Sequence, residues 1–150
     1  MKPRMNFFKA APDTIKALVA VEDQIKASGL EISLIELVKT RASQINGCAY
    51  CIDMHTTDAR KHGESEQRLY LLSAWRETPF FTPRERAALA FTERVTLMAE
   101  DHVPQEVYDA VAAHFSEDEI AALVGLILVI NAWNTIGVAT RAWEPGSYSR

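Results

Sequence analysis

From Ile120 to Ile130 the chain runs eleven residues without a polar side chain. Ser116-Glu117-Asp118-Glu119 stands just before this run. A serine followed three residues later by a glutamate forms a capping box, each side chain satisfying a backbone N–H of the other. The run therefore reads as a helix, ending near Ala142. A helix that is apolar on nearly every side cannot lie on a solvated surface. It is either the central core helix of the fold or the face covered by a second copy of the chain. The polar residues Asn131 and Asn134 interrupt it short of the roughly 18 to 20 apolar residues that span a bilayer.

The rest of the chain reads as helices packed around that element. Pro12 opens a helix that runs to about Ser28 and stops at Gly29, with Ile15, Leu18, Val19 and Ile25 on its apolar side. A second runs from about Glu31 to Ile45, with Leu34, Ile35, Val38, Ala42 and Ile45 at helical spacing. Asn46-Gly47 breaks it. The flanks of that pair lack strand alternation, so it is expected to join two helices rather than turn a hairpin. A third helix begins at Gly47 or Cys48 and ends near Gly63. A fourth is expected from about Glu66 to Glu77, capped by Ser65. Thr82-Pro83-Arg84-Glu85 is a second capping box, with proline at the first helical position; its helix is expected to reach about Ala99. Pro104 opens another, to about Phe115. The tail from Glu144 to Arg150 is expected to be loose.

No stretch alternates as a strand would, and no linker or repeat appears. The expected fold is all-α: one domain over residues 1–150, with a core at about 10–142 and six to eight helices. Sixteen basic and twenty acidic side chains give a formal charge of −4. That balance argues against a protein built to hold nucleic acid or an anionic membrane. The opening segment MKPRMNFFKAAPD lacks a sustained apolar stretch, so no secretory signal is read and a cytoplasmic location is expected.

The two cysteines, Cys48 and Cys51, form the most informative motif. In a reducing compartment a permanent structural disulfide is unexpected. Cysteines three apart on a helix can nevertheless close a disulfide with modest adjustment. In the first turn of a helix both thiols meet unsatisfied N–H groups and the positive end of the helix dipole, which favour the nucleophilic thiolate. Such a pair can carry two-electron redox chemistry with no metal or organic cofactor. At 100° per residue, Cys48, Cys51, Ile52, His55 and Ala59 share a face. His55, one turn beyond Cys51, can take its proton directly or through one water. His62 lies two further turns away.

If the second and third helices pack antiparallel across Asn46-Gly47, Glu36 stands level with His55, where a carboxylate would orient the imidazole. Helical periodicity places Glu36 elsewhere. It falls opposite the apolar stripe with Lys39, Thr40 and Ser43, on a side that reads as solvated. Other uses of the cysteines stay open. Cys48, Cys51 and His55 give three potential zinc ligands, with a fourth needed from a distant side chain. Ile52 stands where a haem-attachment motif needs histidine. The pair could also be two small buried residues. His102 and His114 read as surface or capping groups. Trp75, Trp133 and Trp143 read as packing groups, and Asn131 and Asn134 as structural hydrogen-bond formers.

Glu36, eleven intervening residues, Cys48-x-x-Cys51, three more and His55 together resemble the signature of the AhpD-like alkyl hydroperoxidases of the carboxymuconolactone decarboxylase superfamily. The stretch from Leu37 to Cys48 and the Asn131-Ala-Trp-Asn134 segment resemble that family too. The likeness spans about residues 10–142. It implies an AhpD-like fold assembling into trimers or hexamers, and a peroxidase working by a dithiol–disulfide cycle without a cofactor. It implies Cys51 as the peroxidatic residue, Cys48 as the resolving one, and His55 with Glu36 as a proton relay. The implied partners are a hydroperoxide substrate and an external dithiol donor, either a lipoyl protein, a thioredoxin-like protein or a small thiol. Family members often carry histidine where this chain has Tyr50, whose phenol is a poor base at neutral pH. Two alternatives remain beside it. One is a protein disulfide reductase or redox relay. The other is a lactone decarboxylase or an oligomeric binding module with incidental cysteines.

Overall fold

Residues 2–148 are described by a computed structural model, and among them there are helices but no strands. In chain order these are α1 (Phe7–Ala10), α2 (Pro12–Lys26), α3 (Ile32–Asn46), α4 (Ala49–Lys61), α5 (Glu66–Leu71), α6 (Pro83–Thr96), α7 (Met98–Asp101), α8 (Gln105–Ala112) and α9 (Glu117–Thr140). The nine α-helices among the described residues exceed the expected six to eight because the chain adds the single-turn helices α1 and α7. A further difference lies after α5. The expected helix to Glu77 gives way to 3₁₀ turns over Leu72–Glu77, with non-helical backbone at Ala74. The break accompanies the burial of Trp75, which is 4% exposed.

Both capping boxes form as the sequence predicts. Thr82 and Ser116 each accept from the backbone N–H three residues on, and Glu85 and Glu119 each reach back to the cap. The helix that Ser116 starts is the central strut. α9 packs against α2, α3, α4, α6 and α8. Leu123, Leu126, Ile127, Val129 and Ile130 are fully buried, and each such side chain contributes about 1.5–3 kcal/mol of burial free energy. By length and composition α9 could also cross a membrane, but half of its most apolar window is buried inside this fold. Its other side leaves Val124, Leu128 and Val138 exposed. Asn131 and Asn134 behave as structural groups. Asn46 Nδ2 donates to both side-chain oxygens, at 2.6 and 3.0 Å, and Asn134 Nδ2 donates to Ser43 Oγ at 3.0 Å.

α3 is the second central element, wedged between α4, α6 and α9. Every residue from Leu34 to Thr40 is buried, as are Ala42 and Ser43. This overturns the reading that its Glu36, Lys39, Thr40 and Ser43 side faces solvent. That polar side is covered by neighbouring helices.

Away from the cysteines, one half-buried carboxylate gathers three donors. Glu93 on α6 accepts from Arg41 Nε at 2.8 Å, Trp75 Nε1 at 2.8 Å and Arg76 Nη1. Burial by itself would raise its pKa, but these three donors outweigh burial and hold the carboxyl below the usual range. A carboxyl depressed in the folded state stabilises the fold above its unfolded pKa, and that contribution is lost as pH falls through the folded value. Glu93→Gln should therefore cost about 2 kcal/mol at pH 7. The cost should shrink in acid, where the wild type loses the same charge. Urea unfolding of both proteins across the acid range measures this directly. Parallel curves at all pH values would contradict it.

Candidate active site

Two helices meet head to tail at the cysteines. α3 ends in a paired set of backbone bonds: Cys48 N–H donates to Ser43 O at 3.0 Å and Gly47 N–H to Gln44 O at 3.3 Å. This closing motif needs a left-handed residue between the two helices. Gly47 supplies it at φ 66°. Cys48 is at once the last partner of α3 and the N-cap of α4, its Sγ accepting from Cys51 N–H at 3.4 Å. The joint is thus too short for α4 to do anything but fold back along α3.

Cys48 and Cys51 are joined as a disulfide, their Cα atoms 5.3 Å apart. Cys51, His55 and Ala59 form the buried face of α4, as their helical spacing predicts. Folding back puts His55 beside Glu36. His55 Nδ1 lies 2.8 Å from Glu36 Oε2, with both side chains largely shielded from solvent. With Nδ1–H donating its hydrogen bond to this carboxylate, Nε2 is the ring atom left to exchange a proton with a third group. Glu36 thus stands level with His55, as antiparallel packing across the short joint predicts, and not on the solvated side that periodicity assigns to it.

Cys51, His55 and Glu36 line a cavity of about 360 Å³. Its walls include Lys39 and Glu22, whose side chains pair at 2.5 Å and are mostly buried. Tyr50, Trp133, Trp143, Phe8 and Met54 supply apolar surface. Cys48 opens instead onto a second cavity of about 550 Å³, shared with Gly137, Arg4, Arg141 and Trp143. Gly137 lets the backbone of α9 come close to Cys48. A Cβ on it would stand 3.2 Å from Cys48 Sγ and 3.1 Å from the Trp143 ring. Tyr50 and Trp143 stack with ring centroids 5.3 Å apart and belong to the walls of both cavities. Burial, and then the nearby charges of Asp53 and Asp58, raise the Tyr50 phenol above its ordinary value, so at neutral pH it can donate a hydrogen bond but not take a proton.

The C-terminal segment corrects another expectation. As far as it is described, it is tied to α4 rather than loose; Ser149 and Arg150 lie outside the described residues. Gly146 N–H donates to Asp53 Oδ2 at 2.8 Å and the Tyr148 hydroxyl to Asp58 Oδ2 at 2.7 Å. The hydrogen bond to Asp58, with burial, pushes the Tyr148 phenol up to about 12. Trp133 and Trp143, read as packing groups, stand in the cavity walls. Arg4, Glu22 and Arg141 carried no motif that could have marked them. The remaining histidines stay out of the site. Among the described residues the His62 ring bonds to Asp58 O, Nδ1 donating at 2.8 Å, and His102 and His114 are exposed.

A helical fold with a Cys-x-x-Cys disulfide at a helix start, a histidine one turn on and a buried glutamate beside it defines an AhpD-like architecture. A model of the carboxymuconolactone decarboxylase family matches residues 12–94. The chain belongs to that family. It is 45% identical over 139 residues to the uncharacterized protein YdfG of Bacillus subtilis strain 168, covering 93% of this chain and 95% of that one. Among solved structures, a protein of unknown function from Agrobacterium tumefaciens superposes with a TM-score of 0.92 at 45% identity, over 96% of this chain and 99% of that one. That protein has been offered as a candidate AhpD antioxidant defence protein. An uncharacterized peroxidase-related protein from Silicibacter sp. TM1040 shares the fold, with a TM-score of 0.78 at 22% identity over 90% and 71% of the two chains.

Proposed function

We propose that this protein is a thiol-dependent hydroperoxide reductase, cycling Cys48 and Cys51 between dithiol and disulfide in antioxidant defence. The observation that carries the reading is one cavity wall bearing Cys51, His55 and Glu36, with the imidazole held at 2.8 Å by the carboxylate.

In the reduced protein His55 Nε2 takes the Cys51 proton. The Cys51 thiolate attacks one peroxide oxygen, the O–O bond breaks, and the leaving alkoxide receives the proton from His55. Cys51 is now a sulfenic acid. Cys48 attacks its sulfur, the hydroxyl leaves with a proton as water, and the disulfide closes. Two electrons have passed from the cysteine pair to the peroxide. An external dithiol returns them by thiol–disulfide exchange. The family resemblance supports the same division of labour between the two cysteines. The apolar walls of the Cys51 cavity favour an organic hydroperoxide. No cofactor takes part in this cycle.

A reducing compartment is needed for the last step, in keeping with the cytoplasmic location expected from the sequence. Assembly into a trimer or hexamer, which the resemblance implies, would cover the exposed Val124, Leu128 and Val138 of α9. The function is tested by following consumption of cumene hydroperoxide with dihydrolipoamide as donor. Turnover should depend on the protein and vanish in the variant carrying both Cys48→Ser and Cys51→Ser. Equal turnover by that variant would overturn the reading.

A further inference from the structure

The two sulfurs of the disulfide face different cavities, and the cavities carry opposite charge. The Cys51 side is lined by four carboxylates, Glu22, Asp23, Glu36 and Asp58, against the two ammonium groups of Lys26 and Lys39. The lining of the Cys48 side holds no acidic residue and two guanidinium groups, Arg4 and Arg141. Arg4 is held in place by the end of α9: its backbone N–H donates to Thr140 O at 2.9 Å and its Nη1 to Ala139 O at 2.8 Å. Among the described residues, most of its guanidinium donors find no other partner. Arg141 makes no side-chain hydrogen bond or ion pair among the described residues, and its backbone is left-handed, at φ 54°.

We propose that the Cys48 cavity is the entry site for the reducing thiol, and that it is built for a thiol bearing a carboxylate. This rests on the dithiol–disulfide cycle proposed above and adds a separate door for its second half. The donor carboxylate settles against Arg4 and Arg141. The donor thiolate attacks Cys48 Sγ, a bond forms between the two sulfurs, and the Cys48–Cys51 bond breaks. Its electron pair leaves on Cys51, which takes up a proton through His55. A second donor thiol then attacks the donor sulfur of the mixed disulfide, and Cys48 leaves and takes up that thiol's proton. Both donor protons end on the protein's cysteines, and the donor leaves as its own disulfide. The same carboxylate approaching Cys51 would meet the acidic wall of the other cavity. Charge thus directs the reductant to Cys48 and leaves the Cys51 cavity to the neutral peroxide.

Three thiols with the same two-methylene spacer test this: 3-mercaptopropionate, 2-mercaptoethanol and cysteamine, which end in a carboxylate, a hydroxyl and an ammonium. Each is used to reduce the oxidised wild type, Arg4→Gln and Arg141→Asn; asparagine is chosen because it tolerates left-handed backbone. Within each protein, rates are compared with that for mercaptoethanol, which removes differences common to all three reagents. Each substitution should slow mercaptopropionate by about fivefold relative to mercaptoethanol, the scale of one partly exposed ion pair. Cysteamine should not slow. If all three thiols change alike, or none changes, the proposed anion site is wrong. Acid quenching during wild-type reduction should trap the mixed disulfide on Cys48; an adduct on Cys51 would also overturn the proposal. Oxidation of the reduced wild type by cumene hydroperoxide is read separately. Its failure would remove the peroxidase reading while leaving the charge preference of disulfide reduction intact as a result in its own right.

Discussion

Cys51→Ser should lower hydroperoxide turnover by about a thousandfold or more, the scale seen when a nucleophile is removed from a catalytic unit. Serine keeps the size and most of the packing of a residue that is 2% exposed. It cannot form the sulfenic acid, because its hydroxyl is not an oxidisable nucleophile at neutral pH. Cys48→Ser should fail differently. Its Cys51 still meets peroxide beside His55 and should react once, at a rate near that of the wild type. The sulfenic acid then has no resolving partner on the chain. It should be trapped by dimedone, or progress to the irreversible acids when peroxide is in excess. Single-turnover peroxide consumption followed by intact mass separates the two cases. If Cys51→Ser were the variant that still reacted once, the assigned order of the cysteines would be reversed.

The second large effect concerns the relay. His55→Ala should slow oxidation of the reduced protein by about a hundredfold or more, because the thiol loses its positioned base and the leaving alkoxide its acid. Glu36→Gln should cost less, about tenfold, since the amide can still accept the Nδ1 hydrogen bond but carries no charge. Added imidazole should partly restore His55→Ala, the space left in the cavity wall being open to a small base. A purely structural role for His55 would give no rescue. Removal of Glu36 from a buried pair also weakens the fold, so thermal unfolding of both variants must accompany the kinetics.

Much of this site could be read along the chain because it is local. Cys48, Cys51 and His55 lie within eight consecutive residues, and one helix fixes their relation. The joint at Asn46-Gly47 was equally readable, because glycine is the residue that accepts the left-handed turn closing α3. The capping boxes at Thr82 and Ser116 carry their own partners three residues away. What failed depended on the neighbours of a helix. Periodicity sees one helix at a time, and it assigns the less apolar side to water. α3 has helices on both sides, so Lys39 is buried by pairing with Glu22 of α2, and Ser43 by bonding Asn134 of α9. Neither partner is visible from the spacing within α3. The family motif corrected the position of Glu36 where periodicity could not, because it relates residues on two helices.

The C-terminal segment was missed for the same reason. Tyr148 and Gly146 are tied to Asp58 and Asp53, ninety and ninety-three residues earlier. In sequence those aspartates look like ordinary surface charges of α4. Trp143 belongs to this strap, and it brings the strap into both cavities through its stack on Tyr50. The two arginines of the Cys48 cavity come from opposite ends of the chain. Only the fold brings them together.

A count of thiols tests the Cys48–Cys51 redox cycle at its centre. The fully reduced protein, free of metal, receives one equivalent of cumene hydroperoxide and is then alkylated and weighed intact. Both thiols of each chain should be lost together, the mass should fall by two hydrogens, and added dithiol should restore both. Two thiols that remain free, or react no faster than an ordinary exposed cysteine, would contradict it.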